Sequence, residues 1–165
     1  MEYRLYLDNC CFNRPYDDQT VLKNHLEAEA KIYIQKEILF KRYELAWSYM
    51  MDYEISFNPF TDRKAQILKW KNLAIVDIDE SKEIIDLANK IMEKKIKPKD
   101  SLHLSCAIKA KCNFFVTTDA KLLNKTIDNI SVIDPIDFIR DCSKSYPKLI
   151  FLANQPENVG KFCNW

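Results

Sequence analysis

A chain of 165 residues with 47% hydrophobic and 30% charged content suits one compact domain with a real core and is too apolar to be disordered. Its net charge of +1 announces no nucleic-acid partner, and its one glycine, Gly160, excludes a glycine-rich phosphate loop or dinucleotide fingerprint. No apolar run approaches the ~20 residues of a membrane helix, and MEYRLYLDN lacks the basic-then-apolar order of a signal peptide, so a cytoplasmic location is the default expectation.

Residues 3–7, YRLYL, read as a short strand that ends on Asp8. Residues 9–19, NCCFNRPYDDQ, read as a polar loop. A long helix is expected from about Gln19 to Phe40, with Leu22, Leu26, Ala30, Tyr33 and Ile34 on its inner face. Residues 43–47 look like a second strand. Ser48 then stands where an N-cap belongs, before a short helix that ends near Asn58-Pro59. A further helix covers roughly 61–71, and residues 73–78 read as a strand.

Residues 80–95 form an amphipathic helix with Ile84, Leu87, Ala88, Ile91 and Met92 inward. The next helix opens at Asp100 and buries Leu104, Ala107 and Ile108. Residues 113–117 form a strand that runs into Thr118 and Asp119, and a short helix follows. Residues 130–133 read as a last strand, with a helical turn after Pro135. Residues 1–142 make the domain, and 143–165 read as a C-terminal extension.

Strands that alternate with helices imply parallel pairing through right-handed crossovers. Functional groups then collect beyond the carboxyl ends of the strands, where Asp8 and Asp119 both lie. Each acid alone is explained as a turn or helix-cap residue. Jointly, several carboxylates at one sheet edge point to a hard divalent cation such as Mg²⁺. Asp52 and Glu54 offer a further acid, but roughly 200° separates them around a helix, so one of the two faces the pocket and periodicity does not choose.

Other residues have two readings each. Lys97 and Lys99, within a lysine-rich approach to Asp100, form either a solvated face or a phosphate-steering patch. Arg14 either clamps a phosphate or pairs with Asp17 or Asp18. Thr118 either supports a ligand or caps the next helix, and Asn9 either hydrogen-bonds near the metal or shapes a turn. His103, one turn beyond Asp100, is either a proton carrier or a buried neighbour. Trp47, Trp70, Tyr49 and Tyr53 fit core packing. The six cysteines read as reduced thiols, and a structural zinc site is not indicated.

The run KPKDSLHLSCAIKAKCNFFVTTDAKLL resembles the C-terminal half of a PIN domain, in which an Asp opens one helix and a T-T-D motif follows the next strand. YLDN resembles that family's first-strand Asp, and WSYMMDYE its Ser followed six residues later by a Glu, which selects Glu54 over Asp52. The resemblance, to VapC-like ribonucleases in particular, covers about residues 3–140. It implies a three-layer α/β/α fold with a central, mainly parallel sheet. It also implies a Mg²⁺- or Mn²⁺-dependent endoribonuclease acting on single-stranded or structured RNA. Asp8, Glu54, Asp100 and Asp119 would be the metal-binding and catalytic residues, with Ser48, Asn9 and Thr118 in support. Water would attack phosphorus in line, leaving a 3′-hydroxyl and a 5′-phosphate without a protein nucleophile. Many members are toxins of toxin–antitoxin pairs, so an antitoxin partner and a homodimer are implied.

One position departs from the family pattern. Cys10 stands where many PIN domains carry Ser or Thr, and a thiol is a poor Mg²⁺ ligand. A non-cleaving PIN-like module that binds nucleic acid or protein is therefore the alternative. A phosphotransferase using Asp8 as nucleophile is set aside, because its second Asp is missing at position 10.

Overall fold

The structure is a computed structural model that describes residues 3–145, with side chains described to residue 142. Five parallel strands form one sheet: β1 (Tyr3–Leu7), β2 (Tyr43–Ser48), β3 (Ala74–Ile78), β4 (Phe114–Val116) and β5 (Ser131–Ile133). Their spatial order is β3-β2-β1-β4-β5. The order reverses at β1, so the crevice beside it lies at the switch point where such sheets hold their ligands. The helices are α1 (Asn9–Asn13), α2 (Leu22–Leu39), α3 (Tyr49–Ser56), α4 (Thr61–Leu68), α5 (Lys82–Met92), α6 (Pro98–Lys109), α7 (Ala120–Leu123) and α8 (Pro135–Ser145). Together they make the expected three-layer α/β/α architecture.

The central strands are buried on both faces, as parallel strands must be. Leu5, Tyr6, Leu7, Leu45, Ala46, Trp47, Phe115 and Val116 are all inside. Tyr6 stacks on Phe115 with ring centroids 5.3 Å apart. Phe12 meets Trp47 edge-on at 5.6 Å. Among the described residues, no helix is long and apolar enough to cross a membrane, and Cys10, Cys11, Cys106, Cys112 and Cys142 are free thiols.

Several elements differ from expectation. The segment after Asp8 is not a loop: Asn9–Asn13 is helical, and Arg14–Tyr16 continues as a 3₁₀ turn around Pro15. Its residues are polar, but Cys11 and Phe12 are buried and draw the segment onto the sheet. The inner face of α2 is rotated. Leu22 is 69% exposed and Leu26 is also outside, while Glu27, Ala30, Lys31, Ile34 and Ile38 are buried. A helix that buries Glu27 and Lys31 misleads any reading based on hydropathy alone. Tyr53, expected in the core, is 54% exposed. The expected helix at 61–71 is α4 followed by a 3₁₀ segment at Lys69–Leu73. The turn after Pro135 is a full helix that reaches Ser145. Residues 146–165 of the expected extension lie outside the described residues.

Candidate metal centre

Asp8 is the first residue after β1, tied to β4 by its own N–H, which donates to the Val116 carbonyl at 2.9 Å. Its Oδ1 accepts from the Asn9 N–H at 2.7 Å and caps α1. Its Oδ2 accepts from the Thr117 hydroxyl at 2.8 Å and the Cys10 thiol at 3.1 Å. The Cys10 sulfur also accepts from the Thr118 N–H at 3.3 Å. The thiol at this position thus takes up hydrogen bonds that a Ser or Thr hydroxyl would make, and it orients Asp8 without needing to touch a cation. Asn9 has its side chain turned to Asn13.

Thr117 links two of the acids. Its Oγ1 also accepts from the Asp119 N–H at 3.1 Å. Asp119 itself caps α7, accepting from the Lys121 N–H at 2.8 Å. Thr118 is not the cap; its Oγ1 accepts from Arg14 Nη2 at 2.6 Å. Arg14 is further engaged by Asp17, Asn24 and the buried Glu27.

Asp100 is the third residue of α6, behind Pro98, whose fixed φ suits the first helical turn. Burial raises the Asp100 pKa first, and the nearby carboxylates Asp8 and Asp119 raise it further. Asp100 is thus close enough to Asp8 and Asp119 to feel their charges, while Lys97 and His103 act in the opposite direction.

Glu54 comes from α3, which Ser48 precedes. Ser48 occupies the N-cap position but makes no side-chain cap bond. Its Oγ lies 2.6 Å from the Tyr6 hydroxyl instead. Burial pushes the Glu54 carboxyl up, but His103 and Lys99 outweigh it and bring its pKa down to about 2. Lys99 forms an ion pair with Glu54, and His103 Nε2 stands 3.3 Å from its Oε2. One donor atom each from Asp8, Glu54 and His103 lies within 4.8 Å of the others. Asp52 turns away, accepting from Trp47 Nε1 at 2.9 Å and pairing with Lys71 at 2.6 Å. Lys97 lies close enough to Asp100 to lower its pKa in part.

His103, which the sequence offers as either a proton carrier or a buried neighbour, is buried and is the third member of the group with Asp8 and Glu54. The available signal was its spacing, three residues and one turn beyond Asp100. The donor set fits a divalent cation. The Asp100 carboxyl, raised by burial and by the charges of Asp8 and Asp119, and the buried His103 Nε2 without a hydrogen-bond partner are both groups that a cation would satisfy.

The Glu54 shift fixes a pH dependence. A folded value of about 2 lies below the free-group value of 4.5. The stability this group contributes is therefore complete above pH 4.5 and is lost as pH falls from there to about 2. In metal-free protein, Glu54→Gln is expected to lower the urea midpoint at pH 7 and to flatten its fall between those values. Parallel curves for wild type and variant would contradict the assignment.

The family model described as PIN domain matches residues 5–127. No curated protein matches the chain. Among solved structures, the chain is similar to VapBC2 from Rickettsia felis bound to a DNA fragment from their promoter. The TM-score is 0.52 at 20% identity, over 79% of this chain and 98% of that one. The match over residues 5–127 runs from within β1 to beyond β4 and includes all four acids, and the chain belongs to the PIN domain family, whose members are generally metal-dependent nucleases.

Proposed function

We propose that this protein is a Mg²⁺- or Mn²⁺-dependent endoribonuclease that hydrolyses single-stranded or structured RNA. Asp8, Glu54, Asp100 and Asp119 hold the metal. The observation that carries the reading is the convergence of donor atoms of Asp8, Glu54 and His103 within 4.8 Å of one another, just beyond β1 at the switch point of the sheet, with Asp100 close enough to Asp8 and Asp119 to feel their charges. A bound divalent ion supplies an activated water and neutralises charge that develops on the phosphate. The chain's own residues do the rest. Thr117 and Cys10 hold Asp8 with its oxygens toward the pocket. Lys99 and Lys97 present positive charge at the start of α6, where an RNA phosphate would approach the acids, and Arg14 adds charge beside Thr118.

The family and the fold likeness to VapBC2 support extending the proposal to a toxin with an antitoxin partner, and a homodimer is proposed with it. A second reading, a non-cleaving module that binds nucleic acid or protein, is favoured by one observation. Lys99 already pairs with Glu54, so the pocket's charge is partly met from within. Incubation of several RNAs with Mn²⁺ or Mg²⁺ separates the two. Wild type is expected to cleave, and Asp8→Asn to lose at least about a hundredfold of the rate, since a lost metal ligand removes several kcal/mol of charge stabilisation. RNA left intact by wild type in every lane would favour the second reading.

A further inference from the structure

The imidazole of His103 is 2% exposed, and its Nε2 is buried without a hydrogen-bond partner. That atom stands 3.3 Å from Glu54 Oε2 without making a hydrogen bond to it. Two ligands at right angles around a six-coordinate ion with bonds of about 2.1 Å lie about 3 Å apart. The His103–Glu54 spacing is close to that value, and a donor oxygen of Asp8 completes the group.

The other ring nitrogen is held. Nδ1 lies 2.8 Å from the Tyr6 hydroxyl, which lies 2.6 Å from Ser48 Oγ. Tyr6 is fully buried, stacked on Phe115 and edge-on to the His103 ring. A neutral imidazole that offers the Nε2 lone pair carries its proton on Nδ1. That proton is donated to the Tyr6 oxygen, and the Tyr6 hydroxyl is then donated to Ser48. Metal-binding histidines are commonly oriented in this way, through the nitrogen that does not touch the metal.

We propose that His103 Nε2 is a direct ligand of the divalent ion beside Asp8 and Glu54, and that Tyr6 and Ser48 position the ring for it. The inference rests on the metal pocket of the nuclease reading and goes beyond it, replacing an all-oxygen site with a mixed nitrogen–oxygen one. Imidazole suits first-row transition ions, whereas Mg²⁺ prefers oxygen alone. The site therefore favours Mn²⁺ over Mg²⁺. Tyr6 and Ser48 are positioning residues, since neither touches the ion.

The test is pulsed electron paramagnetic resonance of Mn²⁺ bound to the full chain, which reads nitrogen bonded directly to the ion. Wild type is expected to show a ¹⁴N coupling that changes to a ¹⁵N coupling on ¹⁵N-histidine labelling. His25→Gln keeps the coupling. His103→Gln loses it, and the preference for Mn²⁺ over Mg²⁺ falls about tenfold or more. Tyr6→Phe keeps the coupling but weakens Mn²⁺ binding about tenfold, as loss of an outer partner does. Bound Mn²⁺ in wild type without nitrogen coupling overturns the His103 assignment and leaves the carboxylate pocket standing. Failure of wild type to bind Mn²⁺ at all overturns both. The wild-type spectrum decides the matter even where a variant does not fold.

Discussion

Asp100→Asn is expected to act in opposite directions on stability and on metal binding. Asp100 has a carboxyl raised by burial and by the charges of Asp8 and Asp119. A group whose folded pKa is raised destabilises the fold at neutral pH, and that cost is relieved as pH falls through the folded value. Replacing the charge with an amide of the same shape removes the cost. The metal-free variant should therefore melt above wild type at pH 7. Addition of Mn²⁺ should reverse the order. A ligand that binds the folded state at 100 times its dissociation constant stabilises by about 2.7 kcal/mol. Wild type is expected to gain about that much and the variant much less, with RNA cleavage reduced about a hundredfold or more. Thermal melts of both proteins with and without Mn²⁺ make the check. A variant that melts below wild type without metal would show that Asp100 serves the fold and not the site.

The second large effect belongs to Arg14. Glu27, in α2, has a side chain with no solvent exposure, and Arg14 Nε approaches its Oε2 to 2.8 Å. Burial raises the Glu27 carboxyl, the Arg14 charge pulls it back, and Asp134 pushes it up again. Removal of one partner from a buried pair costs roughly 3–5 kcal/mol. Arg14→Met is expected to cost about 3 kcal/mol at pH 8, lowering the melting temperature by roughly 10 °C for a chain of this size. The same change releases Thr118, whose hydroxyl Arg14 holds beside Asp119. Without Arg14, the Glu27 pKa rises further. A raised folded pKa preserves stability below the free-group value of 4.5 and loses it as pH climbs through the folded one. The deficit should therefore be smaller at pH 5 than at pH 8, and adding Glu27→Gln should recover part of it. A deficit independent of pH would mean that Arg14 contributes packing alone.

The parts of the site legible in the sequence are those fixed by short-range order. Asp8 ends a five-residue strand, and Asp100 and Asp119 bracket one helix–strand unit, so their neighbours along the chain give their location. Glu54 was separable from Asp52 only by family resemblance. In the structure, Asp52 bonds Trp47 and Lys71, while Glu54 faces Asp8 and His103. What was not legible is what the fold assembles from afar. The chain Ser48–Tyr6–His103 joins three elements, and the spacing from Asp100 is the only local mark His103 carries. Helix α1 and the polar inner face of α2 were missed together: the short, polar α1 is anchored only by the buried Cys11 and Phe12, and α2 buries Glu27 against Arg14 and Lys31 over the Phe12 ring, so hydropathy understates how far inside they lie.

In the proposed reaction a metal-activated water, and no group of the protein or the RNA, attacks phosphorus. The ends of the cleavage products test this most directly. RNA cut by wild type in Mn²⁺ is expected to carry 5′-phosphate and 3′-hydroxyl ends, with cleavage abolished by a chelator and by Asp8→Asn. Cleavage that persists in chelator and leaves cyclic phosphate ends, or RNA that remains intact across several substrates, would contradict it.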